Sequence, residues 1–270
     1  MPIVEVVTPG TLAARPGSHE TLTVLTANLK NPYFSETRVD AAALRARLET
    51  FAALVEAQAA DAVLCQEVGR GRDFRVDKWI GDRLGWGGVY VRANGRAGRL
   101  GREEGLAIFS RYPLRESNTT MLAGGIWRRV GLGAVMATPL GDVALYTTHH
   151  SLRPWRNRLQ PGRLYRWVEE TAGARPAIVG GDFNARAGAP QMAALASTWV
   201  DTFQAANSDA TGATYDRKVF GRVVARPRLD YLFLRSGRPS LRLVESWVVE
   251  SAPEPFSDHR AVASRFAVAA

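Results

Sequence analysis

Four histidines occur in the chain, His19, His149, His150 and His259, two of them adjacent behind an apolar run and one beside an aspartate. His149 and His150 follow the apolar run DVALYTT, and His259 follows Asp258 in SDH. Imidazole changes charge near neutral pH, and a neighbouring carboxylate fixes its tautomer and stabilises its charged form. GGDFN (180–184) sets Asp182 and Asn184 one residue apart behind the apolar run PAIV. A turn would use the same residues. Asp230 stands inside the apolar run LDYLFLR, where an unpaired carboxylate is costly, so it needs a partner. Asn28 and Glu67 each end an apolar run, LTVLTAN and DAVLCQE. Taken singly, either reads as a turn residue or cap. Carboxylates and imidazoles collected from such distant points suit acid–base chemistry.

These residues need elements to hold them. The runs 22–28, 61–67, 87–92, 105–111, 130–137, 142–148, 176–182, 229–235, 241–250 and 260–266 read as strands. The segment 37–60 has Leu44, Leu48, Phe51 and Val55 at helical spacing, and 74–85, 162–173 and 191–197 also read as helices. Strands outnumber helices, which predicts two mainly β layers with helices packed outside. Asn28, Glu67, His149 and Asp182 all fall at the C-terminal ends of strand-like runs, where a rigid sheet can assemble a site. Residues 1–20 read as a loose lead-in, and 21–270 as one domain without repeat or linker.

Composition sets the outer bounds. With 270 residues, 46% hydrophobic and 23% charged, the chain is neither disordered nor fibrous. No run approaches the roughly 20 apolar residues of a membrane span. The N-terminus lacks the pattern of a secretory signal, so a cytoplasmic monomer is expected. The one cysteine, Cys65, excludes an intrachain disulfide and a cysteine metal cluster, and it reads as a small buried hydrophobe. The net charge of +9 comes almost wholly from arginine, which binds phosphate with a bidentate fork.

In order, the motifs are TAN, QE, EEGLAIFSR, TTHHS, GDFN, RLDYLF and SDHRAV. This series over residues 22–266 resembles the endonuclease/exonuclease/phosphatase superfamily. The resemblance implies an α/β fold, a four-layer sandwich of two mainly antiparallel β-sheets flanked by helices. It implies a metal site at Asn28, Glu67 and Asp258, with Glu67 the principal ligand of Mg²⁺, for which Mn²⁺ could substitute. Such oxygen donors suit a hard cation. It also implies that Asp182 and Asn184 position the attacking water and the phosphate, that Asp230 orients His259, and that Glu104 supports a second catalytic histidine, His149. His150 stands where the family usually has Leu, which makes it the lesser candidate. A Tyr-bearing segment of the abasic-site branch is missing. The activity implied is Mg²⁺-dependent phosphoester hydrolysis by in-line attack of water.

The substrate is less specified. Nucleic acid, DNA or RNA, is expected from the arginine clusters 70/72/75, 153/156/158 and 217–228, with Arg153, Arg156 and Arg228 the first candidates for phosphate contact. The alternative is a lipid head group or a small phosphorylated molecule, because GRDFRVDKWIGDRLGW followed by YVRANG and EEGLAIFSR looks more like the sphingomyelinase-like and uncharacterised bacterial branches than the vertebrate deoxyribonucleases. No apolar hairpin for membrane insertion is evident in the sequence.

Overall fold

The apolar runs become strands, and their composition follows from what covers each face. A computed structural model of the protein describes residues 2–8, 20–31, 33, 40–96, 102–250 and 254–269. In chain order its elements are β1 (Val4–Val7), β2 (Thr21–Asn28), α1 (Ala41–Ala57), β3 (Ala62–Gly71), α2 (Val76–Leu84), β4 (Gly87–Arg96), β5 (Arg102–Ser110), β6 (Leu114–Ala123), β7 (Arg129–Thr138) and β8 (Gly141–His149). There follow α3 (Pro154–Asn157), α4 (Gln160–Ala172), β9 (Ala177–Asp182), α5 (Pro190–Ala196), β10 (Val200–Asp201), α6 (Thr202–Ala206), β11 (Arg217–Val219), β12 (Arg222–Ala225), β13 (Asp230–Arg235), β14 (Leu241–Val248) and β15 (Val262–Val268).

One sheet has the order β1-β4-β5-β3-β2-β15-β14, the other β10-β13-β9-β8-β7-β6. Each is antiparallel except for one parallel pair, β2 with β3 and β8 with β9. Leu22, Val24, Leu64, Ile108, Leu132, Leu145, Ile178 and Leu232 fill the space between the sheets. Leu44, Leu48, Phe51 and Val55 of α1 pack on the outer face of the first sheet with Val63 and Cys65. Leu164, Trp167 and Val168 of α4 do the same on the second, against Tyr146 and Val179. The layers therefore run helix, sheet, sheet, helix, as expected. A strand in the middle of this stack is covered on both sides, so β9 is buried throughout and reads as a continuous apolar run instead of an alternating one. Cys65 is buried in the core, as its surroundings predicted.

The helix expected over 37–60 spans Ala41–Ala57. The Asp40 carboxylate caps it by accepting from the backbone N–H groups of Ala42 and Ala43, while 37–39 lie outside the described residues. Within the segment read as a lead-in, Val4–Val7 is a strand paired with β4, and 9–19 lie outside the described residues. Among the described residues, no helix is long and apolar enough to cross a membrane.

Candidate active site

Strand register brings three of the expected residues side by side. His149 pairs with Asp182 across the parallel strands β8 and β9, and Asp230 pairs with Asp182 from β13. Two glycines make the approach to Asp182 possible. A Cβ on Gly180 would meet Leu64 Cδ1 of the facing sheet at 2.7 Å, and one on Gly181 would meet the Thr148 carbonyl oxygen at 2.0 Å. Gln66 ties the sheets together below the site, its Nε2 donating to Thr26 Oγ1 at 3.0 Å and Thr147 Oγ1 at 2.9 Å.

The first sheet supplies Asn28 and Glu67. A register irregularity between Cys65 and Val68 re-aims Glu67, which takes φ 53°. A non-glycine residue in that region costs about 1–3 kcal/mol and persists only when its surroundings hold it. Here Glu67 Oε2 accepts from the Asn31 backbone N–H at 3.0 Å, and Oε1 accepts from Asn28 Nδ2 at 3.1 Å. Asn28 Nδ2 also donates to Asp182 Oδ2 at 3.2 Å, so one amide joins the carboxylates of the two sheets.

Asp182 Oδ2 is the centre of the cluster. His149 Nε2 lies 3.5 Å from it and His259 Nε2 3.9 Å. Asp182 Oδ1 accepts from the Asn184 backbone N–H at 2.8 Å, and the Asn184 side chain donates to the His150 carbonyl at 3.0 Å. Burial pushes the Asp182 carboxyl above its ordinary range; His259 opposes the shift, while Asp230 and Glu67 add to it. His259 Nδ1 and Asp230 Oδ2 are 2.8 Å apart, which supplies the partner that Asp230 needed. Burial favours neutral His259, but Asp230 and Asp182 override it and raise the imidazole well above its usual value. Thr214 Oγ1 fixes the start of β13 by accepting from the backbone N–H groups of Leu229 and Asp230.

Several expectations meet a different geometry. Glu104 does not brace His149. Its carboxylate accepts from Asn94 Nδ2 at 3.3 Å and lies 3.7 Å from Arg129, while His149 Nδ1 has no hydrogen-bond partner. Burial, reinforced by Arg129 and His259, holds His149 well below its ordinary value, so it stays neutral. Burial and the charge of Glu67 lift the Glu104 carboxyl to about 6. Arg228 is buried, and its guanidinium donates twice to Asp201, at 2.9 and 2.7 Å, so it is not presented to a phosphate. Arg70 and Arg75 both close on Asp77, which removes most of the first arginine cluster. Arg153 is exposed and Arg156 partly so, on the segment after His150. Asp258 is exposed and lines a cleft with Lys30, Tyr215, Lys218 and His259.

Other residues that hold the site gave no signal in the sequence. Asn31, Asn94 and Thr214 are isolated polar residues there. Asn157 Nδ2 donates to the carbonyls of Ser151 and Phe183, tying α3 to the GDFN turn. The Tyr215 ring lies 4.8 Å from that of His259.

His150 is fully buried against the edge of Phe183, with neither ring nitrogen hydrogen-bonded. Burial lowers it to about 3. An unsatisfied buried donor costs about 1–3 kcal/mol, so His150→Leu is expected to raise the melting temperature while activity changes little. The backbone groups of His150 that bond Asp182 and Asn184 survive the change. A folded-state value below the unfolded one makes stability complete above about pH 6.5 and progressively lost as pH falls toward the folded value. Thermal melts of both proteins from about pH 8 to about pH 4 should therefore diverge on the acid side. Parallel curves would refute this account.

The sequence pattern described as the Endonuclease/Exonuclease/phosphatase family matches residues 25–259. No curated protein matches the sequence. The fold is similar to that of an endonuclease/exonuclease/phosphatase family protein from Leptotrichia buccalis C-1013-b, with TM-score 0.73, 19% identity and coverage of 91% of this chain and 99% of that one. It is similar also to D. rerio TDP2 complexed with single strand DNA product, with TM-score 0.71, 17% identity and coverage of 91% and 98%. A third similar structure is the mannosyl-6-phosphatase Bt3783 of Bacteroides thetaiotaomicron VPI-5482, with TM-score 0.69, 18% identity and coverage of 91% and 99%. At these identities the likeness is one of fold.

Proposed function

The chain belongs to the endonuclease/exonuclease/phosphatase family, whose members are metal-dependent hydrolases of phosphate esters, and from that premise we propose that it hydrolyses a phosphodiester by in-line attack of water, with Mg²⁺ as its metal. The observation that carries this reading is the buried Asp182 carboxylate, faced by His149 and His259, with His259 held by Asp230 at 2.8 Å.

The donor set fits a divalent cation. Glu67 raises both Glu104 and Asp182 through like charge, an excess that a cation would relieve. Glu67 would hold the ion with Asn28, and Asp258 would act from the solvent side. Oxygen atoms alone suit Mg²⁺ or Mn²⁺. Asp182, Asp230 and His259 also cluster tightly enough to ligate, with donor atoms within 4.8 Å of one another. Asp230 Oδ2, however, is committed to His259 Nδ1, so this trio is assigned to proton handling. When bound, the metal would neutralise charge developing on the phosphate.

The chain's own groups do the rest. Asp182, with its raised affinity for a proton, would accept one from the attacking water as its oxygen bonds to phosphorus and the P–O bond on the opposite side breaks, the leaving oxygen taking a proton from solvent. Charged His259 donates a hydrogen bond from Nε2 to a phosphate oxygen, while Asp230 keeps the imidazole oriented and charged. Neutral His149 orients Asp182 through Nε2. Asn184 contributes its backbone N–H to the same carboxylate.

Two substrate classes fit this chemistry. Nucleic acid is supported by Arg153 and Arg156, but Arg228, Arg70 and Arg75 are engaged by internal carboxylates. A lipid head group is favoured by apolar side chains exposed around the site. A panel of plasmid DNA, single-stranded DNA, RNA, sphingomyelin and bis-p-nitrophenyl phosphate, each with Mg²⁺ and with chelator, tests the reading. Nucleic-acid binding should weaken with salt at a log–log slope of about −0.7 to −0.9 per phosphate contact. A lipid head group or small phosphodiester should show a shallow dependence. If no phosphodiester is turned over with Mg²⁺, the proposed function fails.

A further inference from the structure

Two rims flank the site at the same end of the sheets. Gly131 pairs with Thr148, so the β6–β7 turn lies at the His149 end of β8. With the segment after His150 it forms the first rim. Arg156 joins the two parts, its guanidinium over the Trp155 ring at 4.9 Å and donating to the Trp127 carbonyl at 3.5 Å. This rim exposes Ile126, Trp127, Leu152, Trp155 and Leu159, with Ile126 at 94% and Leu152 at 77%. The β11–β12 hairpin is the second rim. Tyr215, just before it, bridges to His259, and Lys218 lines the cleft beside Asp258.

Among the described residues the hairpin strands pair only with each other, and Val219, Phe220, Val223 and Val224 are exposed, Phe220 fully. With the first rim's five, these four make nine of the fifteen large hydrophobics exposed among the described residues. The hairpin tip is Phe220–Gly221, with φ 48° and 77°. Such turns favour Asn or Asp followed by Gly, and a bulky aromatic at positive φ is unfavourable. Phe220 accepts that conformation while packing on nothing that would offset it.

Charge completes the pattern. The sequence has no acidic residue between Asp142 and Glu169 or between Asp216 and Asp230, whereas Arg153, Arg156, Arg158, Arg217, Lys218 and Arg222 fall in those stretches. Protruding apolar side chains interleaved with cations fit the interfacial zone of an anionic bilayer. Aromatic and arginine side chains could also serve a nucleic acid, but Ile126, Leu152, Leu159 and the three valines gain nothing from base stacking. The hairpin left no hydrophobic period to read because its strands are only three and four residues long and lack a buried face.

We propose that the two rims dock the protein on an anionic lipid surface, so that the site opens onto the head-group layer. The choice of substrate rests on the lipid reading above; the docking can be measured without turnover. Sedimentation with vesicles of phosphatidylcholine alone, or mixed with phosphatidylserine, would use the full chain carrying His259→Ala. Binding should favour the mixed vesicles. Ile126→Asp and Phe220→Asp should each weaken it about ten-fold, and Arg222→Glu should remove the preference for phosphatidylserine. In the parent background the same three substitutions should leave hydrolysis of soluble bis-p-nitrophenyl phosphate unchanged and the melting temperature no lower, with Phe220→Asp free to raise it at the turn, which shows that they fold. No association with either vesicle, or equal association by all variants, overturns the proposal. So does loss of single-stranded oligonucleotide binding in these variants with vesicle binding intact, which would give the rims to nucleic acid. Docking without any phosphodiester turnover in the parent protein would instead refute the proposed function and leave the docking standing.

Discussion

Glu67→Gln is expected to lose nearly all activity at any Mg²⁺ concentration while melting no lower than the parent protein. Glutamine keeps the length of the side chain and one oxygen, so it retains one of the two bonds that Glu67 accepts from Asn31 and Asn28, and the loss of the other is offset by the charge repulsion removed. What disappears is the charge that would hold the cation. A metal at a reacting phosphate contributes several kcal/mol of charge stabilisation, which corresponds to about 10³-fold or more in rate. Stability should hold because Glu67 repels Glu104 and Asp182 without the metal, a conflict of the kind that functional sites retain. Chelation should reduce the parent to the level of the variant, and added Mg²⁺ should restore only the parent. Calorimetric titration with Mg²⁺ gives a second reading, with heat expected from the parent alone. Full activity in excess chelator would sink the assignment.

His259→Ala should lower kcat on the order of 10²–10⁴-fold, the usual weight of a positioned acid or base. Asp230→Asn should follow it and also move the pH profile. Asp230 is the leading influence that raises His259 against its burial. On the acid side, activity should appear as Asp182 loses its proton, and on the alkaline side it should fade as His259 loses its own. Removing the Asp230 charge lets burial lower His259, so the alkaline limb should shift to lower pH while the acid limb moves less. An unmoved alkaline limb in Asp230→Asn would show that His259 is not the group titrating there. His149 starts neutral, so His149→Ala should cost activity without displacing that limb.

The motifs at Asn28, Glu67, His149 and Asp182 were legible because each of these residues ends an apolar run, and strand register does the remaining work. His149, Asp182 and Asp230 become neighbours simply by pairing β8, β9 and β13. Two β layers with helices outside were legible because strand-like runs outnumber helical ones, and the four-layer sandwich followed from the family resemblance of the ordered motifs. Where sequence and structure part, the cause is tertiary. Nothing local distinguishes Arg228, bound to Asp201, from Arg153, exposed beside the site. Glu104 stands at the spacing of a brace for His149, but Asn94 and Arg129 reach it in the folded protein. The β6 strand was not legible because LRESNTT lies at a sheet edge with mostly exposed or half-buried side chains, leaving no hydrophobic period to read.

The two parallel pairs, β2 with β3 and β8 with β9, have a consequence for how the protein is assembled. Each pair closes over a helical crossover, and each ends in site residues, Asn28 and Glu67 from one, His149 and Asp182 from the other. Neither half of the chain carries a working set. The Asn28 amide, donating to Glu67 and Asp182 at once, is formed only when the two halves have docked. Because these contacts span long stretches of chain, they are slow to form. A folding intermediate with one half in place therefore lacks an assembled site, and a nascent chain cannot complete that site before His259 has been made.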